Sequence, residues 1–272
     1  MSTSLNITSV FNVKGGVGKT TLTILTAMYL SKLNKKILII DGDFQANTTQ
    51  FIHNTLYEGN TMFEALAYKT KAEDIIIKSP LKKFSNIDLI GSKLECCVLG
   101  ELLVTETNRE KAVYRWFVKN IETLKEYDYI LIDLSPSYDV VTRNFLLISD
   151  SIITPLEYQD IASIRGCNLF YTKFKEDLEK LEIDNDVKKA IVVNRYTSRK
   201  LSTGDEFNSQ LDKFGNIKKV LLNTRISEGT IVKNAILNKT DVEEYCKKIK
   251  KAHKVREEFK NYMDELFERG IL

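Results

Sequence analysis

The sequence predicts an α/β fold: a doubly wound, mostly parallel β-sheet flanked by helices on both faces. Three observations support this. Short apolar runs alternate with segments of helical periodicity along the chain. Two of those runs, 36–41 and 129–133, are continuously apolar and end in Asp, which is typical of strands buried on both faces of a parallel sheet. A glycine-rich segment joins the first predicted strand to the first predicted helix.

The elements follow in chain order. Strands are predicted at 5–11, 36–41, 87–90, 129–133, 151–154, 190–193 and 220–222. Helices are predicted after the glycine-rich segment and over 112–124, 162–181, 207–214 and 255–266. No internal repeat or low-complexity linker divides the 272 residues. We therefore expect one domain over residues 1–272.

Composition excludes several classes of protein. No run approaches the roughly 20 apolar residues of a membrane span, and the polar N-terminus does not resemble a secretory signal. The four cysteines, Cys96, Cys97, Cys167 and Cys246, lack zinc-ligand spacing, so we expect reduced thiols in a cytoplasmic protein. The net charge is only +3, so any affinity for nucleic acid must come from local patches.

The most informative motif is the run Phe-Asn-Val-Lys-Gly-Gly-Val-Gly-Lys-Thr-Thr at residues 11–21. It ends as a phosphate-binding loop does, in Gly18-Lys19-Thr20, but Val13 stands where the standard pattern has glycine. Consecutive backbone N–H groups cradle phosphates in such loops, and the following helix N-terminus adds its partial positive charge. The second lysine, Lys14, is not needed for that cradle.

Two acidic segments complete a predicted nucleotide site. Asp41-Gly42-Asp43 follows the strand at 36–41, and Asp133 ends the strand at 129–133. Ligands of doubly wound sheets lie at the carboxyl ends of the strands, which brings these acids beside the glycine loop. An apolar strand ending in Asp is the expected magnesium-side carboxylate of a P-loop nucleotidase. The alternative for Asp133 is a helix N-cap.

Together these motifs resemble the ParA/MinD family of deviant Walker P-loop ATPases, and the short ParA-type partition ATPases most. Lys14-Gly15-Gly16-Val17-Gly18-Lys19-Thr20-Thr21 matches the family's deviant loop. The segment 41–47 resembles its Asp-x-Asp-Pro-Gln-x-Asn motif with Phe44 in place of Pro, and 132–137 resembles its second acidic motif with Ser135 in place of the first Pro. Neither departure removes a charged or ligating group. ParA-type proteins of the longer kind carry an N-terminal DNA-reading domain, and we expect none here because the first strand begins near residue 5.

The resemblance implies an ATPase with ATP and Mg²⁺ as cofactors, working as an ATP-bound homodimer with slow, partner-stimulated turnover. In such a site Lys19 would hold the β- and γ-phosphates, and Asp43 would position the attacking water. Lys14 would enter the site of the other subunit, as an arginine finger does elsewhere. The implied nucleotide-binding residues are Lys14, Gly15, Gly16, Val17, Gly18, Lys19, Thr20, Thr21 and, at the adenine, Asn194. The implied metal-site residues are Thr20, Asp41 and Asp133.

The same resemblance implies non-specific binding to double-stranded DNA, a nucleoid-associated location, and stimulation by a ParB-type or other small centromere-binding adaptor. Arg199, Lys200 and Arg225 occupy positions that resemble DNA-contacting sites of short ParA proteins. A second candidate is the basic run Lys247, Lys248, Lys250 and Lys251, which would make phosphate contacts without base readout. A solvated helix face is the alternative for that run.

Two other functions stay open at this stage. MinD-like relatives act at membranes through a C-terminal amphipathic helix, and Phe259, Tyr262, Met263, Leu266 and Phe267 form an apolar stripe here. The acidic residues of that helix suit an anionic bilayer poorly, so we expect it to pack on the domain and expect no membrane partner. A metabolic or metal-insertion member of the family is the other option, although Cys96-Cys97 lacks the glycines expected around a cluster ligand.

Overall fold

The computed structural model describes residues 5–53, 57–184, 186–197, 202–249 and 252–272. These residues form one eight-stranded sheet with strand order β3-β4-β2-β5-β1-β6-β7-β8. The strands are β1 Asn6–Val10, β2 Ile37–Gly42, β3 Ile76–Ile77, β4 Ile87–Ile90, β5 Tyr129–Leu134, β6 Ser151–Glu157, β7 Lys188–Tyr196 and β8 Leu221–Ser227. All neighbouring strands are parallel except the β3–β4 pair, so the predicted fold class is confirmed.

Helices cover both faces of the sheet. Within the described residues they are α1 Lys19–Lys32, α2 Asn47–His53, α3 Met62–Ala67, α4 Leu99–Val104, α5 Ala112–Lys119, α6 Ile121–Leu124, α7 Val140–Leu147, α8 Ile161–Lys180, α9 Ser202–Lys213, α10 Gly215–Val220, α11 Thr230–Leu237, α12 Val242–Lys247 and α13 His253–Glu268. Short 3-10 turns lie at Ala72–Asp74, Leu94–Val98 and Arg109–Lys111.

Strand β2, an interior strand of the sheet, contributes side chains to the apolar cores on both faces. Ile37 and Ile39 point into one apolar cluster, whereas Leu38 and Ile40 point into the cluster on the opposite face. Side chains alternate between the faces of a strand, so only a strand covered on both sides can be apolar at successive positions. This is why the continuous apolar runs predicted a parallel sheet rather than a half-exposed one.

The structure contains several short helices that the sequence analysis did not predict, and two other differences have a clear physical reason. The helix predicted over 112–124 is divided at Asn120, whose Oδ1 accepts a hydrogen bond from Ala72 N at 2.9 Å and whose Nδ2 donates to Trp116 O at 2.9 Å. These local bonds compete with continuation of the helix. Strand β3 was not predicted because it has only two residues, too few for an alternation pattern.

The C-terminal helix α13 covers the edge of the sheet beside β8. Its Phe259, Tyr262, Met263 and Leu266 are buried in the core cluster on that face, with Phe267 packed against it. The predicted packing of this apolar stripe on the domain is therefore confirmed. No helix among the described residues is both long and apolar enough to cross a membrane.

The parallel register sets the position of the site. Asp133 of β5 lies opposite Val10, the last residue of β1, and opposite Asp41 of β2. The carboxyl ends of three adjacent strands thus meet where the glycine loop (residues 11–18) leaves β1 and leads into α1. This is the edge at which doubly wound sheets bind their ligands.

Candidate functional site

The glycine loop is braced by a residue that the sequence analysis passed over, Asn12. The buried Asn12 side chain donates from Nδ2 to Pro155 O at 2.8 Å and accepts at Oδ1 from Lys14 N at 3.0 Å. It therefore ties the start of the loop to β6. In the sequence, its position at the start of the glycine-rich motif, two residues before Lys14, was the available signal.

The glycines of the loop are required by its backbone conformation. Gly16 and Gly18 have φ of 80° and 102°, in the region where only glycine is unstrained. A Cβ on Gly18 would also collide with the Asn194 amide, whereas Cβ atoms on Gly15 and Gly16 would meet nothing within 4 Å. The loop thus presents an open cradle on one side and is closed by Asn194 on the other.

Asn194 supports that loop directly. Its Nδ2 donates to Val17 O at 2.8 Å, and the residue is buried at the end of β7. The structure therefore brings the predicted adenine residue next to the loop. Recognition of adenine by Asn194 stays a prediction.

Lys19 begins α1 and its side chain lies back along the loop. The Nζ atom donates to Lys14 O at 3.3 Å, and the residue is only 8% exposed. Burial lowers the Lys19 pKa, and the charges of Asp133 and Asp43 oppose this effect without cancelling it. Among the described residues no carboxylate forms an ion pair with Lys19 within 4 Å, and such a buried ammonium gains from a bound anion.

Asp133 is the centre of the acidic cluster. Its Oδ2 accepts hydrogen bonds from Thr20 Oγ1 at 2.6 Å and Thr48 Oγ1 at 2.8 Å. Its buried Oδ1 has no hydrogen-bond partner among the described residues. Burial raises the pKa of Asp133, with the hydrogen bonds from both hydroxyls and the charge of Lys19 opposing the rise.

The unpartnered Oδ1 of Asp133 bears on whether this site suits a magnesium ion. A carboxylate oxygen buried without a donor is unfavourable unless a cation or an ordered water completes it. Oxygen is also the ligand that Mg²⁺ prefers, in a shell that keeps several waters. The residues present therefore fit a magnesium–nucleotide site, with Asp133 and Thr20 as the residues that would hold the ion. Bound there, Mg²⁺ would neutralise charge on the phosphate oxygens.

Asp41, which is predicted to support the metal, uses both of its carboxylate oxygens as hydrogen-bond acceptors within the chain. Its Oδ1 accepts from Asp43 N at 3.2 Å, and its Oδ2 accepts from Thr49 N at 2.8 Å and Thr49 Oγ1 at 2.6 Å. Both oxygens are thus used to hold the segment between β2 and α2. Burial, followed by the charge of Asp133, raises the Asp41 pKa. With this geometry Asp41 can act indirectly, by holding the backbone of Asp43 in position. Direct support of the metal by Asp41 stays a prediction.

Asp43 follows at the mouth of the site. It is 8% exposed, and its Oδ1 accepts a hydrogen bond from Gln45 N at 3.0 Å. Phe44, which stands where the family usually has proline, is more than a third exposed. Ser135, at the second departure, is buried, and its hydroxyl lies 2.8 Å from Ser137 Oγ. Neither departure displaces a carboxylate of the cluster.

Lys14 points away from the phosphate cradle of its own chain. Its Nζ lies 3.5 Å from Oδ2 of Asp160, the N-cap of α8, and the Lys14 side chain is 45% exposed. Exposed ion pairs of this kind contribute roughly 0–1 kcal/mol. The pair therefore orients Lys14 at the surface without fixing it there.

The predicted DNA-contacting residues are only partly within the described chain. Arg199, Lys200, Lys250 and Lys251 lie outside the described residues. Arg225 is half-buried, with its guanidinium 5.1 Å from the centre of the Tyr196 ring and 3.4 Å from Asn208 Oδ1.

The basic run beyond α12 is partly neutralised. Lys247 lies 3.7 Å and Arg256 3.0 Å from the same Glu243 carboxylate oxygen, and Lys254 lies 3.6 Å from Glu258. Lys248 is exposed, with no acidic side chain within 4 Å among the described residues. DNA contact by these residues stays a prediction.

The fold and the site together define a P-loop nucleotide-binding protein of the deviant Walker type. A family model described as "AAA domain" matches residues 5–191. The chain is 35% identical over 170 residues to the chromosome-partitioning ATPase Soj of Treponema pallidum, covering 60% of this chain and 61% of Soj. It spans less than two thirds of the length of the curated relatives that it matches.

Solved structures give the same result for the fold. A plasmid partition protein of Borrelia burgdorferi B31, bound to AMPPNP, has a TM-score of 0.75 and 25% identity over 98% of this chain and 100% of that one. McdA of Cyanothece in its apo form has a TM-score of 0.80 and 18% identity over 97% of this chain and 100% of that one. The chain belongs to the ParA/MinD family of P-loop ATPases and is similar to its ParA-type partition members.

Proposed function

We propose that this protein is an ATP-dependent DNA-partitioning ATPase whose ATP-bound dimer binds DNA without sequence specificity. The observation that supports this most is the joint presence of a complete nucleotide cluster and a surplus lysine. Lys19, Thr20 and Asp133 form the cluster, whereas Lys14 lies exposed at its edge. The similarity to Soj and to the Borrelia partition protein supports DNA partitioning as the process in which the ATPase acts.

In this proposal hydrolysis depends on position and charge rather than on a covalent intermediate. Lys19 Nζ binds phosphate oxygens, and backbone N–H groups of the glycine loop do the same. Oδ1 of Asp43 is engaged by Gln45 N, so Oδ2 is the oxygen that we assign to the attacking water. The proposal also expects slow turnover in the absence of a partner.

Dimerisation provides the sharpest test. Lys14→Ala should abolish ATP-dependent dimers measured by size-exclusion chromatography with light scattering, while ATP binding to the monomer persists. Asp160→Asn is the matched control, because it breaks the same ion pair but leaves the lysine in place. Equal loss in both variants would mean that the intrachain pair, not a free Lys14, supports the dimer, and would refute the proposed role in the second subunit.

The role assigned to Asp43 has its own test. Asp43→Ala should bind ATP and accumulate as a dimer, because it removes the water-positioning oxygen and the local bond to Gln45 N but leaves Lys19, Thr20 and Asp133 in place. A variant that stays monomeric with ATP would refute this role.

DNA binding should depend on ATP and on salt. About 4–6 phosphate contacts predict a slope of log affinity against log salt of about −4 to −5. Arg225→Glu should lose DNA binding and keep ATP-driven dimers. A slope near zero, or equal binding without ATP, would contradict the proposal, and loss of dimers in the variant would make Arg225 a structural residue.

A centromere-binding adaptor completes the proposed system. We expect the ATPase rate to rise synergistically when DNA and a ParB-type or other small centromere-binding protein are both present. Additive or absent stimulation would remove partitioning from the proposal while leaving the ATPase intact. The membrane alternative loses support because the apolar stripe of α13 is covered by the domain.

A further inference from the structure

A groove between α3, α4 and α5 is not used by the nucleotide site. It has a volume of about 400 Å³, within the range of ligand-binding clefts. Its apolar lining comprises Ala65, Leu66, Leu103, Ala112 and Trp116. The lining also includes Asn120 and charged side chains, so the groove has an apolar part, where a side chain of another molecule can be buried, and a polar part.

The rim of this groove is strongly basic. Lys69, Lys71, Arg115 and Lys119 line it, against a single acidic residue, Glu106. Arg115 lies 4.0 Å from Glu106, and Lys71 lies 3.5 Å from Glu73. Lys69 and Lys119 are exposed and have no acidic side chain within 4 Å among the described residues. A chain with a net charge of +3 thus concentrates a local excess of positive charge around one apolar depression.

Exposed apolar side chains extend the surface beyond the rim. Tyr68 is 73% exposed next to Lys69, and Val104 follows Leu103 of the groove lining. Tyr114 and Val118 are more than half exposed, one helical turn apart on the outer face of α5. These exposed apolar side chains adjoin lining residues in sequence, and large exposed apolar groups favour an interaction surface.

The lining argues for a peptide rather than a nucleic acid. Trp116 is only 5% exposed, its ring packs edge-on against Phe117, and its Nε1 donates to Thr70 O at 2.8 Å. Its ring is therefore not available as a stacking platform for a base, and only the part of the ring that lines the groove can contact an inserted side chain. The phosphates of a duplex would also gain nothing from a concave apolar surface, whereas an acidic peptide with an apolar anchor would match both surface and rim.

We propose that this groove binds an acidic segment of a partner protein, which inserts an aromatic or aliphatic side chain beside Trp116 and places carboxylates against Lys69 and Lys119. The interaction is separate from the nucleotide cluster, because none of these residues contributes to it. It does not depend on the proposed partitioning function.

Trp116 makes the test direct because it is the only tryptophan of the protein. Peptides selected by display from a random library on the full-length chain are synthesised and titrated while tryptophan emission is followed. We expect enrichment in Asp and Glu around an apolar residue, together with a change in emission on binding. The Lys69→Glu/Lys119→Glu double variant should bind these peptides about tenfold more weakly or worse, because like charges repel at the rim.

The Lys82→Glu/Lys219→Glu double variant is the matched control. It has the same charge change at exposed lysines outside the groove and should bind the peptides as the wild type does. Thermal unfolding and ATP binding verify that both double variants are folded. The proposal is overturned by an empty selection, by peptides without acidic enrichment, by unchanged emission, or by equal binding to the rim variant. Selective loss of duplex DNA or anionic-vesicle binding in the rim variant would also overturn it, in favour of those partners.

Discussion

Replacing Glu265 with Gln should destabilise the protein by loosening helix α13 from strand β8. The buried Glu265 carboxylate accepts hydrogen bonds at Oε1 from Asn223 N at 2.8 Å and from Arg269 Nη2 at 2.7 Å. Its Oε2 accepts from Thr224 N at 3.0 Å. This one side chain therefore joins the C-terminal helix to the edge strand.

The expected loss of stability follows from the hydrogen bonds of Glu265 that a glutamine can still make. Its single amide oxygen can keep the bond to Asn223, but its –NH₂ group would face Thr224 N–H and leave that donor unsatisfied, at a cost of about 1–3 kcal/mol. Loss of the charge opposite Arg269 adds up to about 1 kcal/mol. We expect a total loss of about 1–4 kcal/mol, which at about 2–4 °C per kcal/mol lowers Tm by about 2–16 °C.

The effect should depend on pH in a defined direction. Burial alone would raise the Glu265 pKa, but the hydrogen bonds from Asn223 and Thr224 and the charge of Arg269 outweigh it and hold the pKa below its ordinary value. Stabilisation from a carboxylate with a lowered pKa is fully present above the unfolded-state pKa, about 4.3 for Glu. It is lost as the pH falls through the lower, folded-state pKa. The difference between wild type and variant should therefore be constant from neutral pH to about pH 5 and shrink below about pH 4.

Urea denaturation at a series of pH values measures this difference. Glu268→Gln is the matched control, because Glu268 is exposed on the same helix and should change stability by less than about 0.5 kcal/mol. Equal effects of the two substitutions, or an effect of Glu265→Gln that grows as the pH falls, would refute the reasoning.

Two further predictions concern the nucleotide site. Thr48→Val should lower the metal affinity of the nucleotide site by about tenfold, because it removes one of the two hydroxyls that orient Asp133. Electron paramagnetic resonance of Mn²⁺ measures this affinity in the presence of nucleotide. An unchanged affinity would show that the second hydroxyl alone is sufficient. Gly18→Ala should abolish nucleotide binding and cost about 1–3 kcal/mol, because φ is 102° and the new Cβ would displace Asn194. Calorimetric titration of the nucleotide and a thermal melt measure the two effects. Gly15→Ala, with no protein atom within 4 Å of its Cβ, should keep wild-type stability in the same thermal melt, and an equal loss of stability in both variants would contradict the steric argument.

The sequence predicted the sheet well because its strands carry a strong physical signal. A strand buried on both faces must be apolar at every position, and the run before Asp41 meets that condition. The break at Asn120 could not be predicted, because it depends on a hydrogen bond to Ala72, which is distant in sequence. Strand β3 exists only through its antiparallel pairing with β4, again a contact between segments.

For the site, the sequence identified the charged residues but not the groups that orient them. Asp133 and Lys19 could be predicted because their motifs place them at the carboxyl edge of the sheet. Thr48 and Asn12 were missed because a threonine or asparagine near a turn has many ordinary uses, and only their distances to Asp133 and Pro155 show what they hold. The use of both Asp41 oxygens as hydrogen-bond acceptors likewise depends on a fold-specific contact with Thr49.

The two lysines of the glycine loop differ in a way that bears on the proposed mechanism. Lys19 is buried and faces its own acidic cluster, so the chain has already borne the desolvation cost of that charge when it folds. Lys14 is 45% exposed and held only by a surface pair with Asp160, so moving it costs at most about 1 kcal/mol. On the proposed function, ATP binding is therefore a property of one chain, whereas the charge carried by Lys14 becomes useful only when a second chain brings its own nucleotide within reach. Such an arrangement would make ATP the signal for dimerisation without any large rearrangement of the fold.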